Sequence, residues 1–205
     1  MASSPRPSSP GETPWKDIDT HHYDALLVLL DRHGLAGLYT RAEARDLSLI
    51  WHHLTPWSDS GRGIRLLGTR YETATLSNGN RELLQDLNAD TNAGGLGFKH
   101  IISTADFKAY KPHPSTYLGA AKALGCRREE VAMVAAHLGD LDAARKQGMR
   151  TIFVERPLEE RSSKGDEEYD EARKWVDIWV SDGEGEGGFV EVARQLGISD
   201  IKGDA

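Results

Sequence analysis

The chain has a single cysteine, Cys126, among 205 residues. One thiol excludes an internal disulfide framework and fits a reducing compartment, so a cytoplasmic protein is expected. The flanking Gly125 and Arg127-Arg128 could activate a thiolate, but a surface cysteine in a helix–strand turn is the favoured reading. Long apolar runs are missing too: nothing approaches the ~20 residues of a membrane span, so no membrane partner is expected. The first fourteen residues hold Pro and Ser without the apolar stretch of a secretory signal, and segment 1–14 reads as a disordered leader. Positive charge is scarce, with 25 Lys and Arg against 32 Asp and Glu, a net charge of −7. Phosphate backbones need clustered cations, so no nucleic-acid partner is expected. The length suits one domain, or a core with a small lid.

Two patterns divide the chain. Asp19-Thr20 can cap a helix with Tyr23, Leu26, Leu27, Leu29 and Leu30 at helical spacing, stopped by Gly34. Thr40-Arg41-Ala42-Glu43 forms a capping box. It opens a second helix through Ala44, Leu47, Ile50, Trp51 and Leu54, ended by Pro56. Two helices with no strand between them predict a partial helical cap over 15–57. From 58 to 205 strand and helix alternate. Strands are predicted at 71–76, 100–103, 131–136, 151–154 and 176–180, and helices at 61–67, 81–87, 115–124, 141–146, 170–174 and 189–196. Such alternation predicts an α/β core with a parallel sheet and right-handed crossovers. The charged segment 155–171 reads as a solvated loop.

In open α/β sheets, ligands bind beyond the carboxyl ends of the strands. Ser77 and Asn78 leave one strand end, His137 to Asp140 leave another, and Lys111 lies on a loop between them in sequence. Each residue also has a plainer reading. Ser77 could merely begin the Asn78-Gly79 turn, and Lys111 could be a solvated lysine held extended by Pro112. Tyr117 could be a core aromatic, and Asp140 the N-cap of helix 141–146. His137 is equally well read as a base, a substrate contact or a structural histidine.

The longer strings weigh toward a site. Thr73-Ala74-Thr75-Leu76-Ser77-Asn78-Gly79-Asn80, Lys111-Pro112-His113-Pro114-Ser115-Thr116-Tyr117 and Val134-Ala135-Ala136-His137-Leu138-Gly139-Asp140-Leu141 together resemble three motifs of the haloacid dehalogenase superfamily. The resemblance is strongest to its type II (S)-2-haloacid dehalogenases. It implies a Rossmannoid parallel sheet with helices on both faces, and hydrolysis of a 2-haloacid to a 2-hydroxy acid through an aspartyl ester, without metal or other cofactor. It implies that Ser77 and Asn78, with Tyr117 and His137, contact a small carboxylate substrate. Lys111 would pair with the nucleophile and Asp140 would orient water. The resemblance also implies a homodimer of the kind formed by intact relatives. Ala135 and His137 stand where some relatives have Ser and Asn.

The family's first motif, a central strand ending in the nucleophilic Asp, has no match. Asp17-Ile18-Asp19-Thr20 lacks both the glycine and the preceding apolar strand. The chain is therefore expected to be a shortened form without turnover, and to expose unpaired strand edges that favour aggregation. The alternatives are a magnesium-dependent phosphatase of the same superfamily, or a non-catalytic protein that binds a partner. Gly139 before Asp140 leaves the paired acids of the magnesium form absent.

Overall fold

The computed structural model describes residues 16–89, 95–183 and 185–198; the leader 1–14 lies outside them. Helices α1 (Ile18–Arg32) and α2 (Arg41–Ser48) come first. Asp17, rather than Asp19 or Thr20, caps α1, its carboxylate accepting the Thr20 N–H at 2.8 Å. The Thr40–Glu43 capping box at α2 forms as predicted. The second helix is shorter than its apolar spacing predicts: it tightens after Ser48 into a 3-10 turn, Leu49–His53. The reason is tertiary, because that turn rotates His52 inward, where Nδ1 lies 2.7 Å from the Asp86 carboxylate of α4 (Arg81–Ala89).

The core follows. Strands β1 (Ala132–Ala135), β2 (Arg150–Val154) and β3 (Ile178–Val180) form a parallel sheet in the order β1-β2-β3. Side chains of β2 alternate between faces, as a strand requires. Ile152 and Val154 pack with Val192 and Ala193 of α8 (Gly188–Gln195) and with Leu67 of α3 (Ser60–Gly68). Phe153 packs with Leu138 and Leu141 of α6 (Leu138–Lys146) and with Tyr169 and Ala172 of α7 (Glu167–Trp175). Helices therefore cover both faces. Gly63 makes this packing close, since a Cβ there would meet Phe189 Cβ at 2.4 Å. At the sheet's carboxyl edge, Arg156 makes two 2.7 Å bonds to Asp59, which also accepts the Phe189 N–H at 2.7 Å. That joins α3, the exit of β2 and the start of α8.

The stretches predicted as strands at 71–76 and 100–103 run parallel but touch through isolated bridges, Ala74 with His100 and Ser77 with Ser103. The ladder breaks because the Thr75 hydroxyl accepts the Ile102 N–H at 2.9 Å and donates to the Ile102 carbonyl at 3.1 Å. A side chain takes the place of backbone partners there. Among the described residues β1 pairs only with β2, and Ala74–Ser77 only with His100–Ser103. Leu76 and Met133 nevertheless rest on one cluster around Tyr117, Ala121 and Ala144. The two half-sheets thus share a helical layer made by α5 (Pro114–Ala123) and α6. Segment 155–171 is a loop only as far as Asp166, where α7 begins with Tyr169 turned into the core.

Candidate active site

Each member of the cluster sits where a regular element ends. Pro114 opens α5 with Tyr117 one turn inside; Lys111, expected to be extended, lies instead in a turn closed by the His113 N–H on the Tyr110 carbonyl at 2.9 Å, with a cis bond to Pro112. Helix α6 starts at Leu138, with His137 as its N-cap. The expectation that Asp140 caps a helix beginning at Leu141 is therefore corrected. The chain turns helical three residues sooner, because Glu160 reaches across from the loop after β2 and accepts the Leu138 N–H at 2.6 Å. Burial pushes the Glu160 carboxyl upward, but N–H donation from Leu138, Arg161 and Ser162 outweighs it and holds the group below its ordinary value. Asp140 lies instead in the first turn, where the helix dipole favours an anion.

Asp140 is the hub. Its Oδ2 accepts from Lys111 Nζ at 2.5 Å and its Oδ1 from the Tyr117 hydroxyl at 2.5 Å. Lys111 and Asp140 side chains are 19% and 13% exposed, so the pair is only lightly screened and still reachable. Tyr117 is fully buried. Burial first, and then its bond to the Asp140 carboxylate, holds the phenol well above its ordinary pKa, so it remains a donor throughout the working range.

The Ser77–Asn78 turn joins this hub through the backbone. Asn78 Oδ1 accepts the Lys111 N–H at 2.8 Å and the Thr104 hydroxyl at 3.2 Å. Two donors on one atom identify it as the amide oxygen. Ser77 Oγ accepts the Gly79 N–H at 3.1 Å, so Ser77 does begin the Asn78-Gly79 turn. An accepted bond leaves the hydroxyl's own proton for an anion. Four of the six residues singled out in the sequence, Asn78, Lys111, Tyr117 and Asp140, are thus linked by hydrogen bonds, with Ser77 adjoining Asn78. His137 stands apart: its ring is more than half exposed and pairs with Glu159 at 3.5 Å. Cys126 is half-buried in the turn after α5, away from this cluster.

Sequence reasoning missed several contributors. Thr104, fully buried, follows the predicted strand 100–103, and a hydroxyl at a strand end was the available signal. Asn80 ties the first helix to the core by accepting the Ile18 N–H at 3.0 Å. Glu160 and the pairing of His52 with Asp86 connect residues far apart in sequence and carry no local signal. Among the described residues, no group of three or more His, Cys, Asp or Glu is placed to hold a metal ion. None of their helices is long and apolar enough to cross a membrane.

The chain as a whole, with its α/β core, is similar to known proteins. Residues 9–148 match the family model of haloacid dehalogenase-like hydrolases, and the chain belongs to that family. It is 34% identical over 154 residues to (S)-2-haloacid dehalogenase 4A of Burkholderia cepacia, covering 71% of this chain and 65% of that protein. It is also 34% identical over 114 residues to haloacetate dehalogenase H-2 of Moraxella sp. (strain B), covering 55% of this chain and 50% of the relative. Among solved structures it is similar to an L-2-haloacid dehalogenase at a TM-score of 0.75 and 34% identity, over 91% of this chain and 76% of the other. A defluorinating L-2-haloacid dehalogenase gives a TM-score of 0.77 at 32% identity, over 91% and 72% of the two chains. The chain spans half to two thirds of the length of the curated relatives just named.

Proposed function

We propose that the chain carries the lysine–aspartate–tyrosine side of a hydrolase site for small 2-halocarboxylates. The observation that supports this most is the hub itself, in which both oxygens of Asp140 are bound, by Lys111 and by Tyr117, beside a Ser-Asn turn. In this reading the free proton of Ser77 and the N–H groups of the turn orient the substrate carboxylate without attacking it. An aspartate attacks the α-carbon, and the carbon–halogen bond breaks with its electron pair leaving as halide. Water then adds to the ester carbonyl, releasing a 2-hydroxy acid and restoring the aspartate. Lys111 keeps that aspartate ionised, while Asp140 accepts a proton-bearing partner and orients the water.

Asp140 is the one carboxylate bonded to Lys111 among the described residues, and it is already doubly engaged. We therefore read the 205-residue chain as lacking turnover until a nucleophilic carboxylate is supplied. The test is halide release from 2-chloropropionate with chelator present. Magnesium-dependent phosphate release instead would favour the phosphatase reading.

The helices of 15–57 are read as part of a cap. These helices and the loops beside them expose Val28, Leu29, Leu38, Ile50, Trp51 and Leu54, each at 45% or more. Large apolar side chains exposed in one segment favour an interface, and the reading is a homodimer formed through that segment. The single cysteine supports the cytoplasm as the compartment.

A further inference from the structure

The Ser77–Gly79 turn is held at three successive residues by two successive hydroxyl-bearing ones. Thr104 N–H donates to the Ser77 carbonyl at 2.9 Å. The Thr104 hydroxyl donates to Asn78 Oδ1 at 3.2 Å, and the Ser103 hydroxyl to the Gly79 carbonyl at 2.6 Å. Ser103 and Thr104 are both fully buried. Ser103 is further committed, since its oxygen accepts the Ala105 N–H at 3.1 Å and so starts the 3-10 turn Thr104–Phe107.

A buried hydroxyl needs a partner, and either residue could be explained by that need alone. What sets Thr104 apart is the atom it chooses. Asn78 Oδ1 is the same oxygen that accepts the Lys111 N–H at 2.8 Å. The amide of Asn78 is a planar group on a rotatable bond, and a single donor would leave it free to swing about that contact. With the threonine hydroxyl as a second donor on the same oxygen, the amide plane is fixed, and with it the start of the Lys111–Pro112 stretch.

We propose that Thr104 is a positioning residue for the site: through the side chain of Asn78 it sets where the Lys111 backbone lies, and so where the ammonium meets Asp140. This rests on the reading of Lys111 and Asp140 as site residues, but not on any particular substrate. It also gives Asn78 a second task besides offering its backbone N–H to an anion, because its side-chain oxygen faces the lysine loop.

The test uses the full chain, labelled with nitrogen-15, and amide hydrogen exchange at Lys111. Thr104→Val keeps the shape and removes the hydroxyl, and Thr104→Ser returns it. Loss of one neutral hydrogen bond, about 1 kcal/mol net, corresponds to exchange at Lys111 about fivefold faster in the valine variant. The serine variant should restore most of the protection, while the β2 amides of Ile152 and Val154 stay unchanged. Unchanged exchange at Lys111 in the valine variant would overturn the proposal, as would a speed-up of equal size in β2. Should the valine variant not fold, Thr104→Cys offers a similar shape with a weaker donor, and a smaller speed-up at Lys111 is expected; none would again overturn it. Because no haloacid is present, failure of this chain to bind 2-chloropropionate would count against the dehalogenase reading and leave this result standing.

Discussion

Replacing Asp140 with alanine removes the group on which the cluster turns, and the cost can be worked from its two partners. Lys111 would keep an ammonium that is 19% exposed, with no other carboxylate bonded to it among the described residues. Stranding a fully buried charge costs roughly 3–5 kcal/mol, and discounting for the partial access of water brings this to about 2 kcal/mol. The Tyr117 hydroxyl has no exposure at all and would lose its acceptor, which costs about 1–3 kcal/mol. Asp140→Ala should therefore destabilise the chain by about 3–4 kcal/mol, since side-chain relaxation recovers part of the sum. Asp140→Asn keeps an oxygen for Tyr117 and loses only the charge, so about 2 kcal/mol is expected. Urea unfolding followed by tryptophan fluorescence gives both values. Pairing Asp140→Asn with Lys111→Met should recover at least about 1 kcal/mol relative to the sum of the single changes, as contacting groups do. An alanine variant within about 0.5 kcal/mol of the parent, the level of an ordinary surface substitution, would show that the Lys111–Asp140–Tyr117 cluster is not formed in solution.

Three further outcomes are expected. Tyr117→Phe should leave the amplitude of phenolate absorbance up to pH 11 unchanged, because the raised pKa already keeps that phenol protonated there; a loss of about one tyrosine's amplitude would contradict its burial against Asp140. The Asp59 carboxyl is pushed up by burial, but the Arg156 bonds and the Phe189 N–H outweigh this and hold it below its ordinary value. A depressed folded pKa contributes stability that is complete above the unfolded value, about pH 4, and is lost as pH falls through the folded one. The stability gap between the parent and Asp59→Ala should thus be widest near pH 7 and narrow below pH 4 in urea titrations; a gap independent of pH would refute the pairing. Ile50→Glu, at a site 62% exposed, should shift sedimentation from dimer toward monomer without altering the circular dichroism spectrum, and a parent chain that is already monomeric would dispose of the dimer reading.

The parallel core was legible because each of its strands is a short apolar run bounded by turn residues. Residues 131–136, 151–154 and 176–180 became β1, β2 and β3 within one or two residues. The stretch 71–76 was legible as extended but not as bridged, since a threonine that replaces its own ladder bonds looks in sequence like any β-branched strand residue. Helix α6 was placed three residues late because its cap comes from Glu160, across a connection that no local pattern encodes. The break in the second helix has the same origin, in the reach of His52 toward Asp86. At the site, Lys111, Tyr117 and Asp140 were singled out through strings of adjacent residues, and Lys111 and Tyr117 each bond Asp140. Thr104 was overlooked because its importance lies in sharing one oxygen with Lys111, a fact of geometry alone.

The most direct measurement is halide release from (S)-2-chloropropionate with chelator present, made on the 205-residue chain and on the same chain preceded by an apolar strand ending in aspartate. No release from the first and chelator-resistant release from the second, abolished by Lys111→Met, is the expected result. Release from the unextended chain would contradict the claim that its Lys111–Asp140–Tyr117 cluster is a site awaiting its nucleophile, and release from neither would contradict the dehalogenase reading itself.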